Sequence, residues 1–415
     1  MLKGAYAFSR SRHEYGHIRL MNVNLNTGVA SRRNEAYDGF IHRTHAGSLN
    51  LNGYVKTGEI EHNLLFGIDA KEYYRYRPGG LKDTGNHLSI NIYHPIYGRV
   101  GLPTARESSI QYQKLKTIGF YAQDSINLTE NLIYSLGTRY EYYDQVARGT
   151  TSGPNSTDQQ DGKFTWQTGL LYLLTPQWSV YTNYAQSFNP QMAMKGDIGD
   201  IKPEEGKSIE FGSKFQNDSI TASAAVFNIN KKNIMRTVSG VSTPVGEARS
   251  RGFEFDFNGR VTQGLSVGAS YAYTKTEVRK DSGAFAVLVG KPLEATPKHQ
   301  ASLFANYDFS HLGVKGLRIG GGARYFGSWY TYYMRTNLPA VPAGTAFKIN
   351  SAVVYDAFIS YDTKIAGYET NFSFNVKNLT DKLYYTSSST GTQANIIPIQ
   401  PGYARQFMLT ASVKF

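Results

Sequence analysis

The sequence contains no cysteine, so a disulfide framework and any thiolate metal site are both excluded. It also lacks anything near the roughly 18 consecutive apolar residues of a membrane helix. Apolar residues make up 40% of the chain and mean hydropathy is −0.40. The valine, isoleucine and leucine runs that a soluble α/β protein buries are missing. The opening residues, MLKGAYAFSRSRHEYGH, have no apolar h-region and no small-residue cleavage site, which predicts no secretory signal in this chain. Gly-x-Ser-x-Gly, His-Glu-x-x-His and the Walker A lysine loop are absent too, and the chain is expected not to be an enzyme. A net charge of +12 and a pI near 9.4 raise the question of nucleic acid. The basic residues are scattered and no RNA-binding aromatic motif accompanies them, so nucleic acid is not an expected partner.

What the chain has in excess is 31 Tyr, 22 Phe and 41 Gly, a bias that suits strands and interfaces. The aromatics alternate with polar residues. In LIYSLGTRYEYY, Leu132, Tyr134, Leu136, Tyr140 and Tyr142 oppose Ser135, Gly137, Arg139 and Glu141. Phe253, Phe255 and Phe257 oppose Glu254, Asp256 and Asn258, and Phe372, Phe374 and Val376 oppose Asn371, Ser373, Asn375 and Lys377. Successive strand side chains point to opposite faces, so each segment reads as a two-faced strand. In a soluble sandwich the apolar face would be core; in a membrane barrel it would meet lipid.

The connections separate these two readings. Short links, 128–131, 175–177, 216–218, 262–264 and 365–367, alternate with long ones, 77–108, 145–160, 189–203, 235–246, 280–295, 331–349 and 385–402. Short turns on one rim and long loops on the other are the pattern of an outer-membrane barrel. Long strands over 61–76 and 109–127 agree, and the pattern gives roughly 17 strands, with the first 45 residues the hardest to place. Aromatic groups at 73–76, 140–143, 328–333 and 384–385 read as girdles at the two membrane interfaces. Arg139 with Glu141, and Glu254 with Asp256, read as the lining of a wet lumen. The two histidines of HRTH (42–45), three residues apart, should face opposite ways on a strand, so no metal site is expected there.

The final segment RQFMLTASVKF alternates to the last residue. It resembles the carboxy-terminal signal of bacterial outer-membrane proteins, here Phe407, Leu409 and Phe415, which the barrel assembly machinery reads. From about residue 60 onward, INIYHPIYG (90–98), TIGFYAQDSINLTENLIYSLGTRYEYYD (117–144), PEEGKSIEFGSKF (203–215), RSRGFEFDFNGRV (249–261), LEATPKHQASLFANYDF (293–309), FNVKNLTDKLYY (374–385) and PGYARQFMLTASVKF follow one another in a familiar order. Together they resemble the barrel of TonB-dependent siderophore receptors of the ferrichrome, coprogen and pyoverdine group.

The resemblance implies an all-β transmembrane antiparallel barrel of 22 strands, closed by an amino-terminal plug. It implies capture of a ferric siderophore from outside, transport energised through TonB, and residence in the bacterial outer membrane among its lipid and lipopolysaccharide. No cofactor is expected, because the ferric siderophore is cargo. Residues 1–415 are expected to be a partial barrel without plug or signal peptide, about five strands short of the family's plan. Unpaired edges in lipid are costly, so this chain is expected not to transport alone. The barrel's share of the ligand site is expected at the extracellular mouth, from Tyr73, Tyr74, Arg75 and Tyr76, from Tyr93 and Tyr97, and from Trp329, Tyr330, Tyr332 and Tyr333. Two alternatives stand beside this reading. One is a haem or other substrate receptor, with His87 and His94 in a loop; the other is a non-transporting surface-binding barrel, an adhesin or phage receptor.

Overall fold

The computed structural model describes residues 1–98, 101, 103–104, 110–149, 157–192, 201–238, 241–334, 342–388 and 399–414, with main chain only at 21–22, 84–87, 237–238, 241–243 and 245. The alternating segments become long strands. The first seven are β1 (Leu2–Val23), β2 (Val29–Thr57), β3 (Ile60–Arg77), β4 (Leu81–Asn91), β5 (Gln111–Asn127), β6 (Leu132–Gly149) and β7 (Thr157–Leu173). Next come β8 (Trp178–Asn189), β9 (Glu204–Gln216), β10 (Ile220–Val238), β11 (Val241–Arg260), β12 (Leu265–Lys280), β13 (His299–Asp308) and β14 (Leu317–Phe326). The last are β15 (Trp329–Tyr330), β16 (Lys348–Ile349), β17 (Ala352–Ile365), β18 (Tyr368–Lys377), β19 (Tyr385–Ser388), β20 (Ile399–Pro401) and β21 (Gln406–Lys414).

Seventeen of these form one antiparallel sheet, and the remaining four pair off as β15–β16 and β19–β20. Almost every strand pairs with the next long strand in sequence, from β1 through β3, β5 to β14, then β17, β18 and β21. β4 continues the line of β3 and pairs with the far half of β2.

Register decides what the alternation means. Leu51, Phe66 and Ala122 stand opposite one another across three strands, followed one step along by Leu49, Ile68, Phe120, Tyr140 and Phe164. The same outward row continues through Phe211, Val226 and Phe253, through Leu303 and Ala323, and ends on Phe374 and Leu409. These side chains are solvent-exposed: Phe120 is 52% exposed, Phe164 56%, Leu303 54% and Leu409 78%. A sandwich would bury them, so the face belongs to lipid. Phe407 and Leu409 of the terminal signal lie on it, opposite Val376 and Phe374, while Phe415 lies outside the described residues.

The opposite face is polar. Arg139 makes a two-pronged contact with Asp69, at 2.6 and 2.9 Å, and its Nε donates to Glu141 at 2.9 Å. Its guanidinium also lies 5.5 Å over the Tyr121 ring, whose hydroxyl donates to Asn50. Tyr121 lies flat against Gly67, where an added Cβ would come within 2.3 Å of the ring. Alanine normally stabilises a strand relative to glycine. Here Gly67→Ala should instead lower stability by about 1 kcal/mol, because the ring must leave both Asn50 and Arg139. A urea midpoint at or above wild type in lipid vesicles would contradict this.

Short turns occupy one rim. Ala366 and Gly367, both at positive φ (51° and 87°), join β17 to β18, the backbone a two-residue right-twisted hairpin needs. The other rim departs from the expected loop lengths. Segment 77–108 contains β4, and β6, β7, β10 and β11 run on to 149, 157, 238 and 241, shortening the expected loops at 145–160 and 235–246. Inter-strand hydrogen bonding continues beyond the apolar belt, so several connections are raised hairpins. The first 45 residues make the longest, β1 against β2, pairing Leu2 with Leu51 and Val23 with Ala30.

Candidate ligand site at the long-loop rim

On the outward face the belt ends where Arg43, His45, Glu72 and Lys116 replace apolar residues. Just above that level the inner face of β1, β2, β3 and β5 carries a cluster of rings and one guanidinium. The His42 ring stacks on Phe40 at 4.8 Å and meets His13 edge-on at 5.5 Å. Its Nδ1 lies 3.1 Å from the Tyr73 hydroxyl. Arg75 lies 4.9 Å over the Phe40 ring and donates to Gln113 at 3.0 Å. The Arg75 Nε is buried and meets no acceptor among the described residues. As expected from their spacing, His42 and His45 diverge: His45 points outward and packs on Phe8 at 4.7 Å.

A second aromatic group sits in the loops. Val278, Phe285, Leu288 and Tyr333 form a small buried core, around a 3-10 helix at Gly283–Leu288. Lys291 lies 5.3 Å over the Tyr333 ring and donates to the Gly344 carbonyl. Arg236 pairs with the buried Asp281 at 2.7 Å and covers Phe285 at 5.2 Å. Burial, reinforced by Glu294 and Tyr330, pushes the Tyr333 phenol up to about 12. A free tyrosine ionises near 10, so the stability Tyr333 gives is intact below about pH 10 and is lost as pH climbs towards 12. Tyr333→Phe should therefore keep this loop resistant to protease at pH 11 while the wild-type loop becomes cleavable. Equal cleavage of both would remove Tyr333 as the cause.

The predicted site residues divide accordingly. Tyr73 and Arg75 face the lumen. Tyr74 and Tyr76 face outward, Tyr74 meeting Tyr112 edge-on at 5.5 Å with Arg43 at 4.8 Å, because neighbours on a strand cannot share a face. Trp329 and Tyr333 are buried supports. Tyr330, 38% exposed, stacks on Tyr333 at 6.3 Å, and the Tyr332 amide donates to Ser388. Tyr93 sits at the tip of the β1–β2 hairpin, where its hydroxyl donates to the Leu25 carbonyl, and Tyr97, 78% exposed, follows four residues on. Twelve residues of β2 separate the partner of Asn91 from the partner of Tyr76, about 40 Å at strand rise, so Tyr93 and Tyr97 do not share a small-molecule site with Tyr73. The His87 side chain lies outside the described residues, and the His94 amide is held by Asn91 at 3.2 Å. Of the aromatic group at 140–143, Tyr140 and Tyr142 face outward, as a girdle requires, but Tyr143 turns inward and is fully buried. His13, Phe40, His42 and Gln113 were missed. The first two strands carried too irregular a pattern to assign faces before register was known.

Known proteins place this architecture. Residues 2–379 match the family described as TonB dependent receptor-like, beta-barrel. An uncharacterized TonB-dependent receptor of Haemophilus influenzae is 41% identical over 344 residues, covering 80% of this chain and 97% of that protein. The ferrichrome outer membrane transporter/phage receptor of Escherichia coli is 32% identical over 377 residues, covering 88% of this chain and 47% of the transporter. Several other curated relatives are likewise spanned over about half their length. A siderophore receptor of Acinetobacter baumannii superposes with a TM-score of 0.82 at 20% identity, over 99% of this chain and 61% of that one, a likeness of fold. The long-loop rim is thus the extracellular one, the members of this family are receptors and transporters, and the chain belongs to the TonB-dependent receptor β-barrel family of the outer membrane.

Proposed function

We propose that this chain forms the barrel of a receptor that takes up a ferric siderophore, on energy delivered through TonB by way of a plug domain. The observation that carries the reading is the cluster of Phe40, His42, Tyr73 and Arg75 on the inner face at the extracellular mouth. Rings with a few fixed donors suit a bulky chelate that is part apolar shell and part oxygen. The relatives named for ferrichrome and ferrioxamine B support the substrate class. The chain spans about half of those proteins, so uptake by the whole machine is part of the proposal. Barrel assembly machinery and lipopolysaccharide enter as its expected surroundings.

The test is chelate binding to the folded protein, followed by tryptophan quenching. Tyr73→Ala with Arg75→Ala should weaken binding at least tenfold, about 1.4 kcal/mol or more, with surface expression unchanged. Tyr330→Ala with Tyr332→Ala should have a smaller effect, because Tyr330 lies on a loop core rather than on the barrel wall. Undiminished affinity in the first pair would sink the site.

One observation favours a surface-binding role as well. Leu25 at the hairpin tip, and Ile96 and Tyr97 in the segment just after Tyr93, are 64%, 56% and 78% exposed, apolar side chains beyond the ends of the belt strands. A phage or adhesion partner using them should be lost in Ile96→Ser with Tyr97→Ser, while chelate binding persists.

A further inference from the structure

The spacing in HRTH sends His45 outward and away from His42, but the β1–β2 register supplies His42 with another imidazole. Ser11 pairs with His42 and His13 pairs with Phe40, so His13 stands one diagonal step from His42 on the inner face. Their ring centroids are 5.5 Å apart and the ring planes cross at 82°. Two imidazoles bound to one tetrahedral ion, at about 2 Å per bond, hold their centroids roughly 5 to 5.5 Å apart, so the observed spacing accommodates a shared ion. Each ring has one nitrogen engaged. His42 Nδ1 lies 3.1 Å from the Tyr73 hydroxyl, and His13 Nε2 lies 3.1 Å from the Ser11 hydroxyl. Nε2 of His42 and Nδ1 of His13 have no hydrogen-bond partner among the described residues. Of the neighbouring histidines, His17 is taken up by Glu35 at 2.9 Å.

An imidazole that binds a metal through one nitrogen donates its other N–H to an outer partner, which fixes the tautomer and the ring orientation. The Tyr73 oxygen fills that place for His42. Burial, with Arg75 and His13 close by, holds His42 below the ordinary imidazole pKa, which keeps the ring neutral and a lone pair available at neutral pH. His13 is exposed and its one hydrogen bond is to Ser11, so its ring is free to turn towards an ion. We propose that His13 and His42 together bind a divalent ion that favours imidazole, Cu2+, Ni2+ or Zn2+, so that the mouth accepts chelates in which such an ion keeps two open positions. Arg75 beside His42 weakens the hold on a bare cation, and a chelator's own anionic donors relieve that cost. A saturated ferric chelate has no open position and meets these rings by packing alone. The site does not depend on the ferric-chelate reading, because the metal by itself is a probe of it.

The experiment titrates Cu2+, the divalent ion with the highest affinity for nitrogen ligands, into the untagged full chain in lipid vesicles and follows it by electron paramagnetic resonance. The first ion bound to wild type should show two imidazole nitrogens in its hyperfine pattern. His13→Gln and His42→Gln should each remove at least one of those nitrogens and weaken binding by about tenfold or more, since loss of an outer partner alone costs about that much. Tyr73→Phe, which keeps the ring and removes the outer partner, should weaken binding while both nitrogens stay in the pattern. His45→Gln, on the outward face, should match wild type. Wild-type binding in both glutamine variants, or an equal loss in His45→Gln, would overturn the site. If His42→Gln fails to fold, the exposed His13 decides the matter alone. Affinity for a ferric hydroxamate is measured in the same proteins. Copper binding that needs His13 and His42, with no binding of the hydroxamate, would support the imidazole site and reject the chelate reading. Hydroxamate binding without copper binding would do the reverse.

Discussion

Asn378→Ala is expected to destabilise the barrel by about 3 kcal/mol, one of the two largest effects of any single substitution proposed. Asn378 is 2% exposed and begins the sequence Asn-Leu-Thr-Asp-Lys that follows β18. Its Nδ2 donates to the carbonyls of Lys382 and Tyr403, at 3.0 and 2.9 Å, and its Oδ1 accepts from the Lys382 amide at 2.8 Å. Its own amide donates to Asp356, which also pairs with Arg324 at 3.0 Å. Asp381 then accepts from the Arg405 amide at 2.8 Å, tying the segment to the approach of β21. Alanine leaves three backbone groups, the Lys382 amide and carbonyl and the Tyr403 carbonyl, without their partner at once. It must also adopt φ 51°, a left-handed conformation that asparagine tolerates and alanine does not. Asn378→Gly removes only the second penalty and should be the milder variant. The check is the urea midpoint in lipid vesicles, with the slope unchanged to show that the transition itself is the same. An alanine variant within about 0.5 kcal/mol of wild type would mean that this knot does not hold the end of the sheet.

Arg139→Ala should cost about 2 to 3 kcal/mol, less than for a fully buried pair because the cluster is partly wetted. The substitution leaves Asp69 and Glu141 facing each other in the lumen, with side chains 30% and 15% exposed. Arg139→Lys keeps the charge but cannot hold Asp69 with two prongs, and should fall between. The informative variant removes all three charges. Arg139→Met with Asp69→Asn and Glu141→Gln should recover most of the loss, because the damage in Arg139→Ala comes from the orphaned carboxylates. If the triple variant is as unstable as the single one, the cluster is held by packing of the arginine stem on Tyr121 instead.

Much of this molecule was legible as a string of residues. Phe253, Phe255 and Phe257 could only share a face, and Glu254 and Asp256 could only share the other, because the strand period of two is fixed by covalent geometry. Each of the short turns at 128–131, 175–177 and 262–264 announces itself by local composition, and the order of the motifs carried the family. The candidate site was half legible. Tyr73 and Arg75 emerged because they stand in an aromatic group, but Tyr74 and Tyr76 came with them, although the same period places those two on the far side of the wall.

What the amino-acid sequence determined by itself was the alternation, the turns and hence a two-faced sheet with lipid on one side and water on the other. Only the tertiary structure decided which residues meet. Asp69 and Arg139 are 70 positions apart and touch because β3 pairs with β5 and β5 with β6. Tyr37 and Phe40 reach the same inner face, although their positions differ by three, because β1 and β2 slip register between His13 and Tyr15. Facing within a strand is a local property of the backbone; register and bulges are set by hydrogen bonds between distant segments, and the cluster of Phe40, His42, Tyr73 and Arg75 at the mouth is built from those.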